Sequence, residues 1–415
     1  MRKGVMWLML MVAGTGLFAA PVTLTMLVSG GDVKNPEYVT ALALLEKDFP
    51  GTKLELSQMN LATGSTMTMD AWVAAGTPPN IYYDNMVRAS KHMVPEYALD
   101  LTKYIRDLNK YQKSVLAGVT RNGKMLGMPI PAHTQGMCIN LDLMKEIGFE
   151  VKWDWTTDDF LKMCELVKAK YGTKKYGTML FGANQSGDYL LHNWFEAFGA
   201  HYYMTSNYDT STIAKTGGAK AYAWYQKLIT NGYVDKNAAV LNDDDYALEW
   251  SKGNLAAAPF FVSWVGTYQS SALSQKLIDK PFPVMFVPFP RGPGVKKVPG
   301  YSMTGSLVVW KSPNEQVNKV AARFVEYFNG AKNQEYLATL GVPPNRTDVT
   351  QPNDPLIKQA QKIGNENGIY DCGLIDPRFT ERRSLQYPIL QKLFTFKMTP
   401  EEAIAAYDAA LSSVK

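Results

Sequence analysis

The stretch from Gly123 to Gly148 constrains this chain more than any other. It opens with a glycine turn, runs through the apolar Met125 to Met128, and then meets Pro129 and Pro131. Prolines carry no backbone donor and sit badly inside a paired strand. A second apolar run, Met137 to Ile139, follows. Asn140 then starts a helix-like segment that ends at Gly148, where a left-handed cap is expected. A strand that halts at two prolines and resumes as strand and helix is how a chain leaves one lobe and enters another. Residues 129 to 133 are therefore read as a crossover between two lobes.

The N-terminus carries Arg2 and Lys3, an uncharged run from Gly4 to Phe18, then Ala19 and Ala20. That order predicts a secretory signal peptide over 1–19, too short for a permanent anchor, with cleavage near Ala19 because Pro21 is awkward just after a cut at Ala20. An anchor left in place is the alternative. The first cysteine is Cys138, so none stands at the cleavage site to take a lipid. A free protein held in a periplasm is the expectation.

About 395 residues remain, more than one core usually serves, which again predicts two lobes. Losing Arg2 and Lys3 takes the formal charge from +5 to +3. With no basic block, nucleic acid is not an expected partner. Cys138, Cys164 and Cys372 have no metal-ligand spacing; buried thiols are expected, with a Cys138–Cys164 bridge left open. Nine Trp and 23 Tyr exceed what a core needs and leave rings for a ligand cleft.

The first part alternates strand and helix. Val22–Val28 reads as a strand ending at Ser29-Gly30-Gly31, Pro36–Phe49 as a helix, Lys53–Ser57 as a strand, 65–75 as a helix, and Asn80–Tyr83 as a strand ending at Asp84. Such alternation predicts a parallel sheet with helices on its faces, and ligands gather outside the carboxyl ends of such strands. The strand ends here are Ser29 to Gly31, Gln58 to Asn60, and Asp84-Asn85. Farther on, Thr156 or Thr157 is placed to cap a helix whose first turn holds Asp158 and Asp159. Gly187–Gly199 reads as one helix that includes Trp194, and Ser306–Trp310 as a strand returning to the first lobe.

Some nine segments, in order, resemble the extracellular family 1 solute-binding proteins that feed sugar-type ABC importers, the maltose-binding-protein-like group. Among them are Phe49-Pro50-Gly51, Ala98-Leu99-Asp100-Leu101-Thr102, Trp153 to Phe160, Leu248 to Pro259 with Trp264 after it, Val284 to Pro290, Ser312 to Phe328, and Gly341 to Arg346. One departure is Pro79-Asn80, where the family has Asp. The resemblance implies an α/β, two-lobed periplasmic-binding-protein fold of type II, each lobe a mostly parallel sheet flanked by helices, with a cleft between them. The implied lobes are 20–129 plus 302–329, and 130–301 plus 330–415.

It also implies a monomer that binds a mono- or oligosaccharide by hinge closure and passes it to permease subunits in the inner membrane, with no cofactor and no metal. Sugars are held by planar polar side chains at their hydroxyls and by aromatic faces on their apolar side. Candidate stacking surfaces are Trp194, Trp264 and Tyr301, the last two at positions after strands. Candidate polar groups are Asn60, Asp84, His133 and Arg378, and Gly30, Asn85 and Gly300 are further ligand-binding candidates. For each there is a plain structural alternative: core packing for the rings, a helix cap for Asp84, a hinge or surface role for His133, and an ion pair for Arg378.

Enzyme readings find little support: Gly-x-Ser-x-Gly, a phosphate loop and His-Glu-x-x-His are all missing from the sequence. Asp243-Asp244-Asp245 reads as a solvated loop or helix start. Adjacent tyrosines, Tyr82-Tyr83 and Tyr202-Tyr203, could ligate ferric iron, although one ring in and one ring out is the simpler reading. Other solutes, such as a glycerol phosphate, polyamine or peptide, and a secreted carbohydrate-active enzyme remain as alternatives.

Overall fold

The computed structural model of the chain describes residues 21–28, 32–58, 65–85, 89–131, 133–184, 186–200, 216–303, 305–339, 342–370 and 379–414. In chain order the strands are β1 (Thr23–Val28), β2 (Lys53–Gln58), β3 (Ile81–Asn85), β4 (Thr120–Arg121), β5 (Lys124–Met125) and β6 (Met128–Pro129). There follow β7 (His133–Asn140), β8 (Ala257–Phe261), β9 (Val284–Val287), β10 (Gly300–Met303), β11 (Gly305–Val309) and β12 (Ile369–Tyr370).

Two five-stranded sheets result, joined through the proline stretch. The first has the order β2-β1-β3-β11-β6, and the second β12-β10-β7-β8 with β9 also on β7. In the first, β1 runs parallel to β2 and β3, whereas β11 is antiparallel to β3 and β6. In the second, β7 is antiparallel to β8, β9 and β10, and only β10 with β12 is parallel among its described strand pairs. The expectation of a mostly parallel second sheet is thus corrected. The reason is β7 itself, which enters from the crossover and must pair with β10 running back toward it.

Local signals set the elements around this frame. Asn140 Oδ1 accepts from Leu143 N at 3.2 Å and opens the helix Leu141–Ile147, which Gly148 ends at φ 65°. That left-handed conformation suits glycine, which has no Cβ to clash. Thr156 and Asp159 form a reciprocal capping box at the start of Thr157–Tyr171. Asn242 and Asp245 do the same for Asp243–Ser251, so the acidic triplet is a helix start.

Gly187–Gly199 is not one helix. It splits into Gly187–Leu190 and Asn193–Ala197. Between them Trp194 N bonds to Leu191 O and Phe195 N to His192 O, so the ladder tightens to i→i+3 bonds.

Helix Glu315–Phe328 packs on Pro36–Asp48, and so does Ala331–Thr339. Asn333 Nδ2 donates to Glu37 O at 2.8 Å. Residues 331–339 and 345–347 therefore stay with the first sheet, and Pro355–Asn367 packs on β7 and β9 of the second body. The boundary expected at 330 moves because its contacts are made across the sequence. Cys138 and Cys164 are free and buried, and burial pushes both thiols up; Cys372 lies outside the described residues.

Candidate functional site

The strand directions converge on one place. Val28 is opposite Gln58, and Asn85 is opposite Gly305, so the carboxyl ends of β1, β2 and β3 all reach the crossover side of the first sheet. From the second body, Phe261 at the end of β8 is opposite Gln135, and Met303 at the end of β10 is opposite His133. Residues 176 and 177 pair in parallel with the start of β8, through Ala256 N to Tyr176 O and Ala257 N to Gly177 O. Loops after strands in this arrangement are where a ligand is met.

Asp84, two residues after Tyr82, is buried, and its Oδ2 accepts from Tyr82 Oη at 2.9 Å. Tyr82 is buried and Tyr83 half-buried, one ring in and one partly out; Tyr202 and Tyr203 lie outside the described residues. Asn85 is placed by its pairing to Gly305, and His133 opens β7. Trp264 stands in the first turn of the helix Val262–Ser274, directly after β8 rather than on a loop. Its half-buried ring meets Phe261 edge-on at 4.9 Å and Tyr268 at 5.9 Å. Gly300 is held by its N–H on Gly368 O at 2.9 Å. Gly30, Asn60 and Arg378 lie outside the described residues.

Burial takes two rings out of the set of open stacking faces. Trp194 is 0% exposed, enclosed by Phe160 at 5.1 Å, Trp224 at 5.4 Å and Phe289 at 5.5 Å. Tyr301 is likewise 0% exposed, with His192 edge-on at 4.5 Å. Packing gives both rings partners in the aromatic core of the second body, Trp194 from a short helix and Tyr301 from β10.

Two polar residues, Gln135 and Asn184, went unnoticed in the sequence. Gln135, buried on β7, donates from Nε2 to Leu190 O at 3.5 Å. Asn184 Nδ2 donates to Asp243 Oδ1 at 2.6 Å, and neighbouring Asp244 is raised above the usual carboxylate range by burial and by the adjacent Asp243 and Asp245. A polar residue inside an apolar strand was the signal for Gln135; nothing local marked the Asn184–Asp243 pair. Among the described residues no group of three His, Cys, Asp or Glu is placed to hold a metal, and no helix is long and apolar enough to cross a membrane.

Residues 40–365 match the family of bacterial extracellular solute-binding proteins. The chain belongs to this family. No curated protein matches it in sequence. Solved structures share the fold at low identity. The GacH receptor of Streptomyces glaucescens, solved unliganded and with acarbose, is 15% identical with a TM-score of 0.77, covering 96% of this chain and 100% of that one. A solute-binding protein of Thermotoga lettingae bound to α-D-tagatose is 18% identical at a TM-score of 0.76, covering 95% and 99%. UgpB of Mycobacterium tuberculosis, in complex with glycerophosphocholine, is 16% identical at 0.77, covering 95% and 98%.

In this solute-binding protein the crossover is a paired ribbon. Ile130 N donates to Gly305 O at 3.1 Å, between β6–β11 pairing on one side and β7–β10 pairing on the other. A Cβ at Gly305 would sit 2.0 Å from Ile130 Cδ1 and 3.1 Å from Asp84 O, so the close approach needs glycine.

Behind the ribbon lies a buried amide cluster. Pro129 O accepts from Asn329 Nδ2 and, at 3.1 Å, from Asn345 Nδ2. Gln334 Nε2 donates to Asn345 Oδ1 at 2.6 Å, while its Oε1 accepts from Asn345 N at 3.0 Å and Arg346 N at 3.1 Å. Arg346 in turn lies over the Tyr111 ring at 4.9 Å and pairs with Asp348 at 2.8 Å. Pro129, the first residue of the crossover, is thereby tied to the first body.

Proposed function

We propose that this protein binds a mono- or oligosaccharide between its two bodies in the periplasm and delivers it to the permease of an ABC importer. The observation that carries the reading is the meeting of strand ends at the crossover. Asp84 on the first body is a hydrogen-bonding group there, and half-buried Trp264 on the second offers an apolar face. Sugars need both kinds of contact. Asn85, His133, Gly300 and the segments holding Gly30, Asn60 and Arg378 complete the proposed contact set. Relatives of the same fold carry acarbose and tagatose, which fits this chemistry.

Closure follows from differential affinity: a sugar that touches both bodies favours the state in which both are near, and the ribbon at 130 and 305 is the pivot. Binding without turnover is the activity proposed, by a monomer exported with removal of residues 1–19. A second reading is a glycerophosphodiester, the class of ligand carried by the similarly folded UgpB.

The test is calorimetric titration of the mature chain with maltotriose, tagatose, chitobiose and glycerophosphocholine, with spermidine as control. Saturable 1:1 binding of a sugar supports the proposal. Binding of glycerophosphocholine alone moves it to the second reading, and turnover of a sugar sinks it.

A further inference from the structure

The geometry points to Tyr82 as a positioning residue for Asp84, an inference that rests on the binding reading above. The two residues are two apart on β3, so their side chains leave the strand on one face. Tyr82 Oη donates to Asp84 Oδ2 at 2.9 Å, and the residues are 0% and 1% exposed.

The phenol is itself held. Leu27 of β1 and Val308 of β11 flank Tyr82 in register. His92 meets its ring edge-on at 5.6 Å and 85°. His92 Nε2 lies 3.0 Å from Asp70 Oδ1, and its ring packs toward Tyr97 and Trp310. A line of contacts thus runs from Asp70 on the helix Ser65–Ala74 through His92 and Tyr82 to the carboxylate at the end of β3.

This arrangement matters for binding because of what a loose carboxylate would do. A hydroxyl that pairs with a carboxylate already fixed in one rotamer meets no ordering penalty, whereas a mobile one must be ordered on binding. The ring of Tyr82 fills core space that phenylalanine would fill equally well. The hydroxyl is the atom that donates to the carboxylate and so favours one orientation of it.

The experiment is calorimetry on the mature chain with maltotriose, tagatose, chitobiose and glycerophosphocholine, in four proteins: wild type, Tyr82→Phe, Asp84→Ala and the double variant. For the probe that wild type binds, Tyr82→Phe is expected to weaken affinity about tenfold, the size of one lost hydrogen bond to a charged group. In the Asp84→Ala background, already weakened by more, the same change is expected to add less than about twofold, because the group it orients is gone. Equal losses in both backgrounds would assign Tyr82 a merely structural role and overturn the inference. So would unchanged affinity in Tyr82→Phe beside a clear loss in Asp84→Ala. Unchanged affinity in Asp84→Ala, or no binding of any probe by wild type, overturns the reading of the site, and the inference falls with it.

Discussion

The two sides of the crossover are built from different chemistry. On the first body, the groups behind Pro129 are amides in a closed hydrogen-bond set, Asn329, Gln334 and Asn345, and the strand end carries the Tyr82–Asp84 pair. On the second body, the corresponding region is a cluster of rings, in which Trp194, Trp224, Phe160 and Phe289 pack at tilted and edge-on angles, with Phe195, Tyr222 and Tyr225 beside them. Hydrogen bonds are directional and leave a costly orphan when one partner changes; ring packing is less directional and adapts to change of shape. On this chemistry the amide cluster is expected to tolerate substitution less well than the ring cluster.

The largest effect is expected at the amide cluster. Gln334→Met keeps the shape but removes the acceptor for two backbone N–H groups and the donor to Asn345, and should cost about 3–4 kcal/mol in urea unfolding. Trp194→Phe, a conservative change on the other side, should cost about 2 kcal/mol, through the space it leaves. If the order of these two were reversed, the contrast between a brittle and an adaptable side would be wrong.

A change in the ribbon itself sharpens the comparison. Gly305→Ala pushes a methyl against Ile130 and is expected to cost about 1–2 kcal/mol, with the bodies spaced differently in small-angle scattering of the unliganded protein. An unaltered scattering profile would take the pivot away from this position.

The smallest effect concerns pH. Burial holds His92 below its ordinary 6.5, against the opposing pull of Asp70, so the folded state favours the neutral ring. The unfolded chain then takes up the proton first, and stability should fall as pH drops below about 6.5 toward the depressed folded value. The difference in unfolding free energy between wild type and His92→Gln should shrink over that window by less than about 1 kcal/mol. A difference that stays flat from pH 7 to pH 5 would remove His92 from the support of the first body.

Much of the frame was legible because its signals are local. Asn140 with Gly148 and Thr156 with Asp159 act within a few residues, and each did in the fold what its chemistry dictates; Pro129, expected to halt the strand, is instead its last residue and is paired with Ser306. The site was less legible. Trp194 has the same neighbours in sequence whether its ring faces a cleft or a core. The helix Ala331–Thr339 and Asn345 gave no sign that they would remain on the first body, since what keeps them there is Gln334 holding Asn345 and Asn345 holding Pro129, more than 200 residues away.

The sequence by itself determined the alternation of strands and helices in the first part of the chain and the helix ends at Asn140, Gly148 and Thr156, since these follow from backbone donors, caps and apolar spacing over a few residues. Only the tertiary structure decided which side chains are sealed, which way β7 is paired, and that Tyr82 holds Asp84. Those outcomes depend on burial and on partners brought together from distant segments, and no short stretch of sequence carries that information.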